Sequence, residues 1–429
     1  MTVLEGSGAR VDITPRPGCA LAGFVQRGNR PSTGVHDPLE ANVLYLRGGS
    51  SELAWVSIDV LSVDQEIRAR VASSVSAGVG CDPDRVIVCA THTHAAPAGW
   101  IHDELGLLSA DTDRGMRSRL VEQVAEACAR MDPRPVSVTL STIPGPRVGT
   151  NRNTPAGPAD PTTGLVAVRD ARGHLIGAAF NHACHPTVLR ASNLALSADW
   201  PGAARGALRE RTAPQLPVVF LQGAAGDVST RFTRQGAGPG EMERLGRRLG
   251  DAMARDLVSG GGTTVVGSPR LARFTVPLPT KPVPAPEDAR AIRVASERAF
   301  QDLDPGADPA ARRIAQTRME GAWLLERMAA LEMPAKIDLS CSAVAMDDHA
   351  WVHLPVEPFA SIGRAIDESS GFSSTRVVGY AGGYWGYLAD EAAHRRGVYE
   401  ALTSPFPPEA SALTVAEAVV ALATLEEVG

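Results

Sequence analysis

Lysine is nearly absent from this sequence. Lys281 and Lys336 are the only lysines among 42 basic residues, and arginine supplies the rest. Acidic residues are more numerous, and the formal net charge is −6. This balance gives no basic footprint of the kind that predicts nucleic-acid binding. The preference for arginine is more typical of codon usage in a GC-rich genome than of a function.

Cysteine pairs and membrane-spanning hydrophobic runs are also missing. The six cysteines have no C-x-x-C spacing, and several lie in apolar stretches, as buried free thiols do. A reducing compartment is therefore expected. Residues 1–8 have neither the basic nor the apolar region of a signal peptide. The apolar residues 413–425 contain Glu417 and are too short to cross a bilayer. We expect a cytoplasmic protein without stable membrane insertion, and the sequence leaves its oligomeric state open.

Apolar periodicity predicts that strands and helices alternate over the first 270 residues. The predicted strands are 43–46, 53–61, 86–90, 165–168, 175–180, 218–221, 337–345 and 350–354. The predicted helices are 116–131, 241–257, 287–303 and 309–331. This order predicts an α/β fold, with a layered mixed β-sheet and flanking helices in one large domain over residues 1–429. The last two helices would form a helical hairpin inserted at residues 281–335, which we interpret as a candidate lid.

Two histidine groups follow predicted strands. Thr91-His92-Thr93-His94 comes directly after residues 86–90, and His182 and His185 follow residues 175–180. Alternate residues of an extended segment share a face, so we expect His92 and His94 to point the same way at the strand's end. Because neutral imidazole is the commonest metal ligand, the two groups suggest a metal site. Solvated or core histidines are the alternative interpretation.

Other candidates lie late in the chain. Glu357 follows the predicted strand 350–354, and residues 379–388 form a glycine-rich segment with several tyrosines. Tyr399 comes a few residues later. The composition of this segment is typical of a turn-rich loop over a pocket, although packing alone would explain any single tyrosine.

A set of motifs spread over most of the chain occurs in the order found in one known family. The motifs are Gly8-Ala9-Arg10-Val11-Asp12-Ile13-Thr14-Pro15, Thr91-His92-Thr93-His94 with Pro97, Asn151-Arg152-Asn153, Cys184-His185-Pro186-Thr187, Ser197-Ala198-Asp199-Trp200-Pro201-Gly202, Gln222 to Ser229, Pro355-Val356-Glu357, and Gly386-Tyr387 with Tyr399. On these residues the sequence resembles the catalytic domain of the neutral, non-lysosomal ceramidases, which are zinc-dependent amide hydrolases. The joint occurrence of these motifs in one sequence is more specific for the family than any single motif.

The resemblance implies the residues of an active site. Four would bind Zn²⁺: His92, His185, Glu357 and Tyr387. Three would surround the scissile amide: His94, Arg152 and Tyr399. The spacing from Tyr387 to Tyr399 fits the family's tyrosine pair, which favours Tyr387 over Tyr380 or Tyr384 as the ligand. Arg152 could instead hold a buried carboxylate such as that of Asp199.

The resulting hypothesis is a zinc-dependent amide hydrolase with a small-molecule substrate. A zinc-bound hydroxide would attack the amide carbonyl, Arg152 and Tyr399 would stabilise the oxyanion, and His94 would transfer the proton. Asp199 or Asp59 could orient a ligand histidine. The expected substrate is a soluble N-acyl amine, amide or lactam, because the resemblance covers the catalytic domain without a membrane-anchoring region.

Departures from the family pattern and open alternatives accompany this hypothesis. The family's Pro-Gly-Glu is Pro355-Val356-Glu357 in this chain, a change that removes no expected ligand. The same zinc site would also suit an ester or lactone hydrolase, an acyl-transfer cyclase or a true ceramidase. A non-catalytic, metal-stabilised binding protein is a further alternative, although His94, Arg152 and Tyr399 would be expected to degenerate in such a protein.

Overall fold

Two β-sheets, packed face to face and covered on their outer sides by helices, form the core of the fold. The structure is a computed structural model that describes residues 3–102, 104–107 and 112–426, apart from the side chain of Ala310. Within these ranges the expected α/β class, with mixed sheets and flanking helices, is confirmed.

Strands and helices alternate along much of the chain. The strands are β1 (Leu4–Asp12), β2 (Gly34–Val35), β3 (Glu40–Gly48), β4 (Ser51–Ile58), β5 (Val86–Ala90), β6 (Arg134–Pro144), β7 (Thr150–Asn151), β8 (Thr162–Asp170), β9 (Leu175–His182), β10 (Ala195–Leu196), β11 (Val218–Gln222), β12 (Val228–Ser229), β13 (Thr263–Thr264), β14 (Arg270–Pro279), β15 (Lys336–Met346), β16 (His349–His353), β17 (Glu357–Pro358), β18 (Ser374–Val378) and β19 (Tyr387–Leu388). The α-helices are α1 (Gln65–Val79), α2 (Arg114–Cys128), α3 (Asp199–Arg211), α4 (Pro239–Ser259), α5 (Pro286–Gln301), α6 (Pro309–Ala329), α7 (Ala360–Ser369), α8 (Glu391–Arg396), α9 (Tyr399–Thr403) and α10 (Ala410–Glu426).

The larger sheet has the strand order β11-β9-β8-β6-β1-β3-β4-β5, with β13 paired to β6. Its outer pairs, β11-β9 and β4-β5, are parallel, and the pairs between them are antiparallel. The predicted hairpin is present as β8 and β9, joined through the turn at Asp170–Gly173. Parallel pairing makes β9 and β11 end on the same side, so that their following segments leave the sheet together.

The two ends of this sheet approach each other. Although β11 and β5 stand at opposite ends of the pairing order, the backbone N–H of Phe220 on β11 donates to Ser57 Oγ on β4 at 3.2 Å. At the end of β11, Gln222 Nε2 donates to the carbonyl of Thr91, just beyond β5, at 3.5 Å. Sheets twist with a fixed hand, and in this sheet the curl brings together the segments that follow β5, β9 and β11.

The smaller sheet has the order β14-β15-β16-β18 and packs on the larger one. At this contact Trp55 of β4 meets Trp351 of β16 edge to face, with ring centroids 5.2 Å apart. Helices α1 to α4 cover the outer face of the larger sheet, and α7 and α10 cover that of the smaller one. The fold is therefore a sandwich of helices, sheet, sheet and helices.

The insertion, residues 281–335, contains the two predicted helices as α5 and α6. It connects β14 to β15, which pair antiparallel with Pro279 opposite Lys336. The insertion is therefore a long loop between two adjacent antiparallel strands. The two helices are linked by an ion pair between Arg293 and Glu326. The apolar C-terminal stretch forms α10, which lies on the smaller sheet. Among the helices that the structure describes, none has the length and apolar character of a membrane span.

Candidate metal centre and active site

His92 lies in a left-handed turn directly after β5. The strand ends at Ala90, as predicted, but the φ angle of His92 is +66°, so the segment that carries both histidines is not extended as expected. The rings nevertheless meet: the Nε2 atoms of His92 and His94 are 3.3 Å apart, and the ring planes are nearly perpendicular. This unusual backbone is held by hydrogen bonds from His92 N to the carbonyl of Val60 (3.0 Å) and between His92 Nδ1 and the carbonyl of Leu61 (2.7 Å).

His185 approaches the same point from the segment that follows β9. Its ring Nδ1 lies 2.6 Å from the carbonyl of Ala225, which favours the tautomer with the proton on Nδ1. The other ring nitrogen, Nε2, lies 3.1 Å from Glu357 Oε2. His92 Nε2 lies 3.5 Å from the same carboxylate oxygen. Two imidazoles from distant parts of the chain therefore converge on one carboxylate.

Glu357 and Tyr387 are held side by side by their backbones. They are directly paired in the parallel bridge of β17 and β19, where Glu357 N donates to the carbonyl of Gly386 at 2.8 Å. The hydroxyls of Tyr380 and Tyr384 donate to the Glu357 carboxylate, Tyr380 at 3.2 Å. The sequence predicted that this tyrosine-rich segment is a loop over a pocket, but it did not indicate that Tyr380 and Tyr384 orient Glu357.

The geometry of these donors fits a zinc ion. Two ligands of a tetrahedral zinc, each ~2.0–2.1 Å from the metal, lie roughly 3.3 Å apart. The separations from Glu357 Oε2 to the Nε2 atoms of His185 and His92, 3.1 and 3.5 Å, bracket that value. Burial lowers the pKa of His92 to about 4, so its imidazole is in the neutral form that binds metals. His92, His94 and His185 also form a histidine group compact enough to hold a metal ion.

His94 differs from the other two histidines in its second ring nitrogen. His92 and His185 each place Nδ1 against a backbone carbonyl, as metal-bound histidines usually do, whereas the buried Nδ1 of His94 has no hydrogen-bond partner among the described residues. The ring of His94 packs on Gly23, where φ is +91° and an added Cβ would lie 2.4 Å from the imidazole. Glycine at position 23 thus leaves room for the ring.

Arg152 lies beside this group, at the end of β7. Its backbone N–H donates to the carbonyl of Asp227 at 2.6 Å. Its Nε donates to Glu400 Oε1 at 2.6 Å, and its Nη2 donates to the hydroxyl of Tyr387 at 3.0 Å. The ring of Tyr399 meets that of Tyr387 edge to face, with centroids 5.7 Å apart. The structure therefore brings together every residue that the sequence proposed for the site.

The alternative roles raised for Asp199 and Asp59 are not observed. Arg152 holds the carboxylate of Glu400 instead of that of Asp199, and Glu400 was missed because it follows Tyr399 without a motif of its own. Asp199 accepts the backbone N–H groups of Leu189 and of Trp200 in the first turn of α3, and Asp59 pairs with Arg205. Neither orients a ligand histidine, since backbone carbonyls take that role.

Two cavities meet at the site. The larger, about 770 Å³, is lined by several arginines and is called the basic arm. The smaller, about 270 Å³, is lined by residues such as Ile101, Leu324 and Trp385 and is called the apolar arm. Both are bounded by His94, Tyr387 and Tyr399. Residues of α6 line both arms, so the insertion contributes to the walls of the site.

Known proteins resemble this chain in sequence or in fold. No family model matches the sequence. A curated neutral ceramidase of Mycobacterium tuberculosis (strain ATCC 25618 / H37Rv) is 25% identical over 293 residues, which cover 60% of this chain and 45% of the relative. The matched part is thus less than half of that relative's length.

Solved structures share the fold. The crystal structure of neutral ceramidase from Pseudomonas aeruginosa matches all of this chain and 75% of its own, with a TM-score of 0.78 and 19% identity. A ceramidase complexed with C2 matches with a TM-score of 0.77 and 18% identity, again over all of this chain and over 76% of its own. The chain is therefore similar in sequence to one neutral ceramidase over part of its length, and it shares the fold of others over its whole length.

Proposed function

We propose that this domain is a zinc-dependent amide hydrolase that acts on soluble N-acyl compounds. The observation that carries the proposal is the convergence of the His92 and His185 imidazoles on the Glu357 carboxylate, beside the Arg152–Tyr387 pair. The relationship to neutral ceramidases supports cleavage of an amide C–N bond.

The proposed zinc ligands are His92, His185, Glu357 and Tyr387. When bound, zinc would polarise the amide carbonyl and lower the pKa of a water molecule toward ~7. Burial raises the pKa of Tyr387 well above its usual value, and Arg152, which donates an N–H to the phenol oxygen, opposes that rise. A bound metal would supply the further positive charge that a phenolate ligand needs. The hydroxyls of Tyr380 and Tyr384 fix the orientation of Glu357.

Arg152 and Tyr399 are the proposed donors to the oxygen that becomes negative during the reaction. Arg152 uses Nε for Glu400 and one Nη2 contact for Tyr387, and a guanidinium has further N–H groups to offer. Its ion pair with Glu400 fixes its position, so that donation requires little reorganisation. A donor of this kind contributes roughly 3–4 kcal/mol to transition-state stabilisation.

His94 is the proposed proton-transfer residue. It borders both arms, and its Nδ1 is not committed to any described residue. Burial lowers the pKa of His94 well below its usual value, so its resting imidazole is a neutral base. In hydrolysis a C–O bond forms as the C–N bond breaks, and the proton released by water passes through His94 to the leaving nitrogen.

Amide hydrolysis by purified protein tests the proposal. We expect amine and carboxylic acid to appear in equal amounts from short N-acyl amides, to cease after removal of metal by a chelator, and to return with zinc. The exchange Glu357→Gln should abolish turnover, whereas Glu391→Gln, an exposed carboxylate on α8, should not affect it. Hydrolysis that persists in chelator, or zinc-loaded enzyme that cleaves neither these amides nor ceramide in detergent, would contradict the proposal.

A further inference from the structure

Positive charge is concentrated on the walls of the basic arm. Three carboxylates line it, from Asp308, Glu320 and Glu400. Six arginines do so: Arg152, Arg190, Arg231, Arg234, Arg312 and Arg313. The chain as a whole carries a formal charge of −6, so this local excess of three positive charges runs against the overall balance.

The carboxylates of the arm are already engaged. Glu400 pairs with Arg152, and Glu320 pairs with Arg313 at 3.3 Å. Asp308 accepts a backbone N–H in the first turn of α6. These pairs account for two of the arginines, and the charge of the others is not neutralised by them.

Among the remaining arginines of the basic arm, Arg231 and Arg234 are the strongest candidates for binding an anion. Within the described part of the chain, neither lies within ion-pair distance of a carboxylate. Arg231 Nη1 donates to the carbonyl of Arg152 at 2.7 Å, and Arg234 Nη1 donates to the carbonyl of Thr187 at 3.1 Å. Burial, together with neighbouring arginines, lowers the pKa of Arg231 to about 9 and that of Arg234 to about 10, values at which both remain charged at neutral pH.

Such an arrangement favours a bound anion. Carboxylates do act on these arginines, Glu400 on Arg231 and both Asp199 and Glu241 on Arg234, but none forms a direct ion pair with them. A partly buried cation without a direct ion pair is unfavourable, and a bound carboxylate or phosphate would relieve that cost through charge-assisted hydrogen bonds. Arginine presents its N–H groups in a planar fork that matches both anions. The backbone carbonyls fix one end of each guanidinium and leave its other N–H groups for a ligand.

The apolar arm suits a different part of the substrate. Its walls include Ile101, Leu105, Leu324 and Trp385, which suit an apolar chain. One arginine, Arg327, also lines this arm, and its guanidinium lies over the ring of Trp323. Because His94, Tyr387 and Tyr399 border both arms, a compound that extends from one arm into the other would pass these proposed site residues. The two arms therefore specify the two ends of one substrate.

We infer that the substrate is an amphiphilic amide with an anionic group on one side of the scissile bond, bound by Arg231 and Arg234, and an apolar group on the other. This inference rests on the proposed amide hydrolysis and specifies its substrate class. Carboxylate and phosphate share the required chemistry. Ceramide lacks such a charge and would leave both arginines without a counter-ion.

Three pairs of soluble amides test the inference on the zinc-loaded protein. N-octanoylglycine and N-octanoylphosphoethanolamine carry a carboxylate or a phosphate on the amine side, and the mono-octylamide of glutaric acid carries a carboxylate on the acyl side. Each is compared with its uncharged analogue by kcat/KM and, for binding, by calorimetry. At least one anionic compound should exceed its analogue by roughly 10- to 100-fold, the factor for hydrogen bonds between charged groups.

Variants then assign the preference to the two arginines. The double exchange Arg231→Gln and Arg234→Gln should bring the ratio of anionic to uncharged substrate close to one, and Arg231→Lys with Arg234→Lys should retain much of it. Arg211→Gln removes an exposed arginine elsewhere and should leave the ratio unchanged. Equal kcat/KM within every pair, or a preference that survives the double Gln exchange, would overturn the inference while leaving amide hydrolysis intact. If no amide is cleaved, the proposed function fails, and calorimetry decides the anion site: tighter binding of an anionic compound supports it, and equal binding overturns it.

Discussion

At the scale of single residues, the contact of the second ring nitrogen distinguishes the buried histidines. His92 and His185 each face a backbone carbonyl through Nδ1, which fixes Nε2 toward Glu357. His94 lacks that contact, and its buried Nδ1 lies against Gly23 instead. His353 is of a third kind: its Nε2 accepts the indole N–H of Trp55 at 3.0 Å between the two sheets. Its role is structural, and it requires the neutral imidazole.

The pH dependence of stability should report His353. Burial lowers its pKa from 6.5 to about 3 in the folded protein. Between these values the unfolded chain binds a proton that the folded chain excludes, so His353 makes the free energy of unfolding fall as pH decreases from 6.5 toward 3. The contribution of one such group approaches ~1.4 kcal/mol per pH unit within this window.

The exchange His353→Gln keeps a neutral acceptor for Trp55 but removes the titration. We expect the free energy of unfolding of this variant, measured by denaturant titration, to fall less steeply than that of the parent protein between pH 6 and pH 4, which are test conditions within the ~3–6.5 window. Identical slopes for the His353 variant and the parent would show that burial does not suppress protonation of this ring.

At the scale of elements, α6 contributes residues to both the basic arm and the apolar arm of the site. Its first half contributes Arg312 and Arg313 to the basic arm, and its second half contributes Trp323 and Leu324 to the apolar arm. The helix is held by α5 and is anchored where β14 and β15 pair. The insertion therefore shapes the walls of the cleft, and we propose that it also acts as a lid.

Shortening Trp323 to alanine should weaken the use of long acyl groups. Loss of its contact area in the apolar arm is expected to lower kcat/KM for octanoyl amides by about 10-fold, equivalent to roughly 1–2 kcal/mol, with a smaller effect on acetyl amides. Ile314→Ala is a matched control, since Ile314 is on the same helix with the same exposed fraction of 38% but lines neither arm. Equal losses for both chain lengths would exclude Trp323 from acyl selection.

At the scale of the whole molecule, local sequence patterns predicted the helices and strands better than the tertiary contacts between them. The hairpin of β8 and β9 and the helices α5 and α6 follow from periodicity and turn residues. The four-layer sandwich does not, because the division of strands between two sheets and the curl that joins β5 to β11 depend on pairings distant in sequence. The apolar stretch at residues 413–425 lies in α10, which packs on the smaller sheet.

For the site as well, the sequence predicted the residues but not their tertiary contacts. Family motifs named the residues, and the structure brings them together. The left-handed turn at His92 is unexpected for a non-glycine residue and arises from tertiary hydrogen bonds. The ion pair of Arg152 with Glu400 joins residues 248 positions apart and has no signature in sequence. The basic arm was also missed, because its arginines come from separate segments that adjoin only in the fold.

Zinc content in matched histidine variants tests the central claim most directly. His182 is buried three positions before His185 but packs against Trp200, outside the proposed ligand set. With folding verified by circular dichroism, His182→Ala should keep about one zinc per chain, and His94→Ala should also keep it while kcat falls by roughly 10²–10⁴-fold. His185→Ala should lose zinc and activity together. Zinc bound by His185→Ala with the affinity of the parent protein would contradict the account.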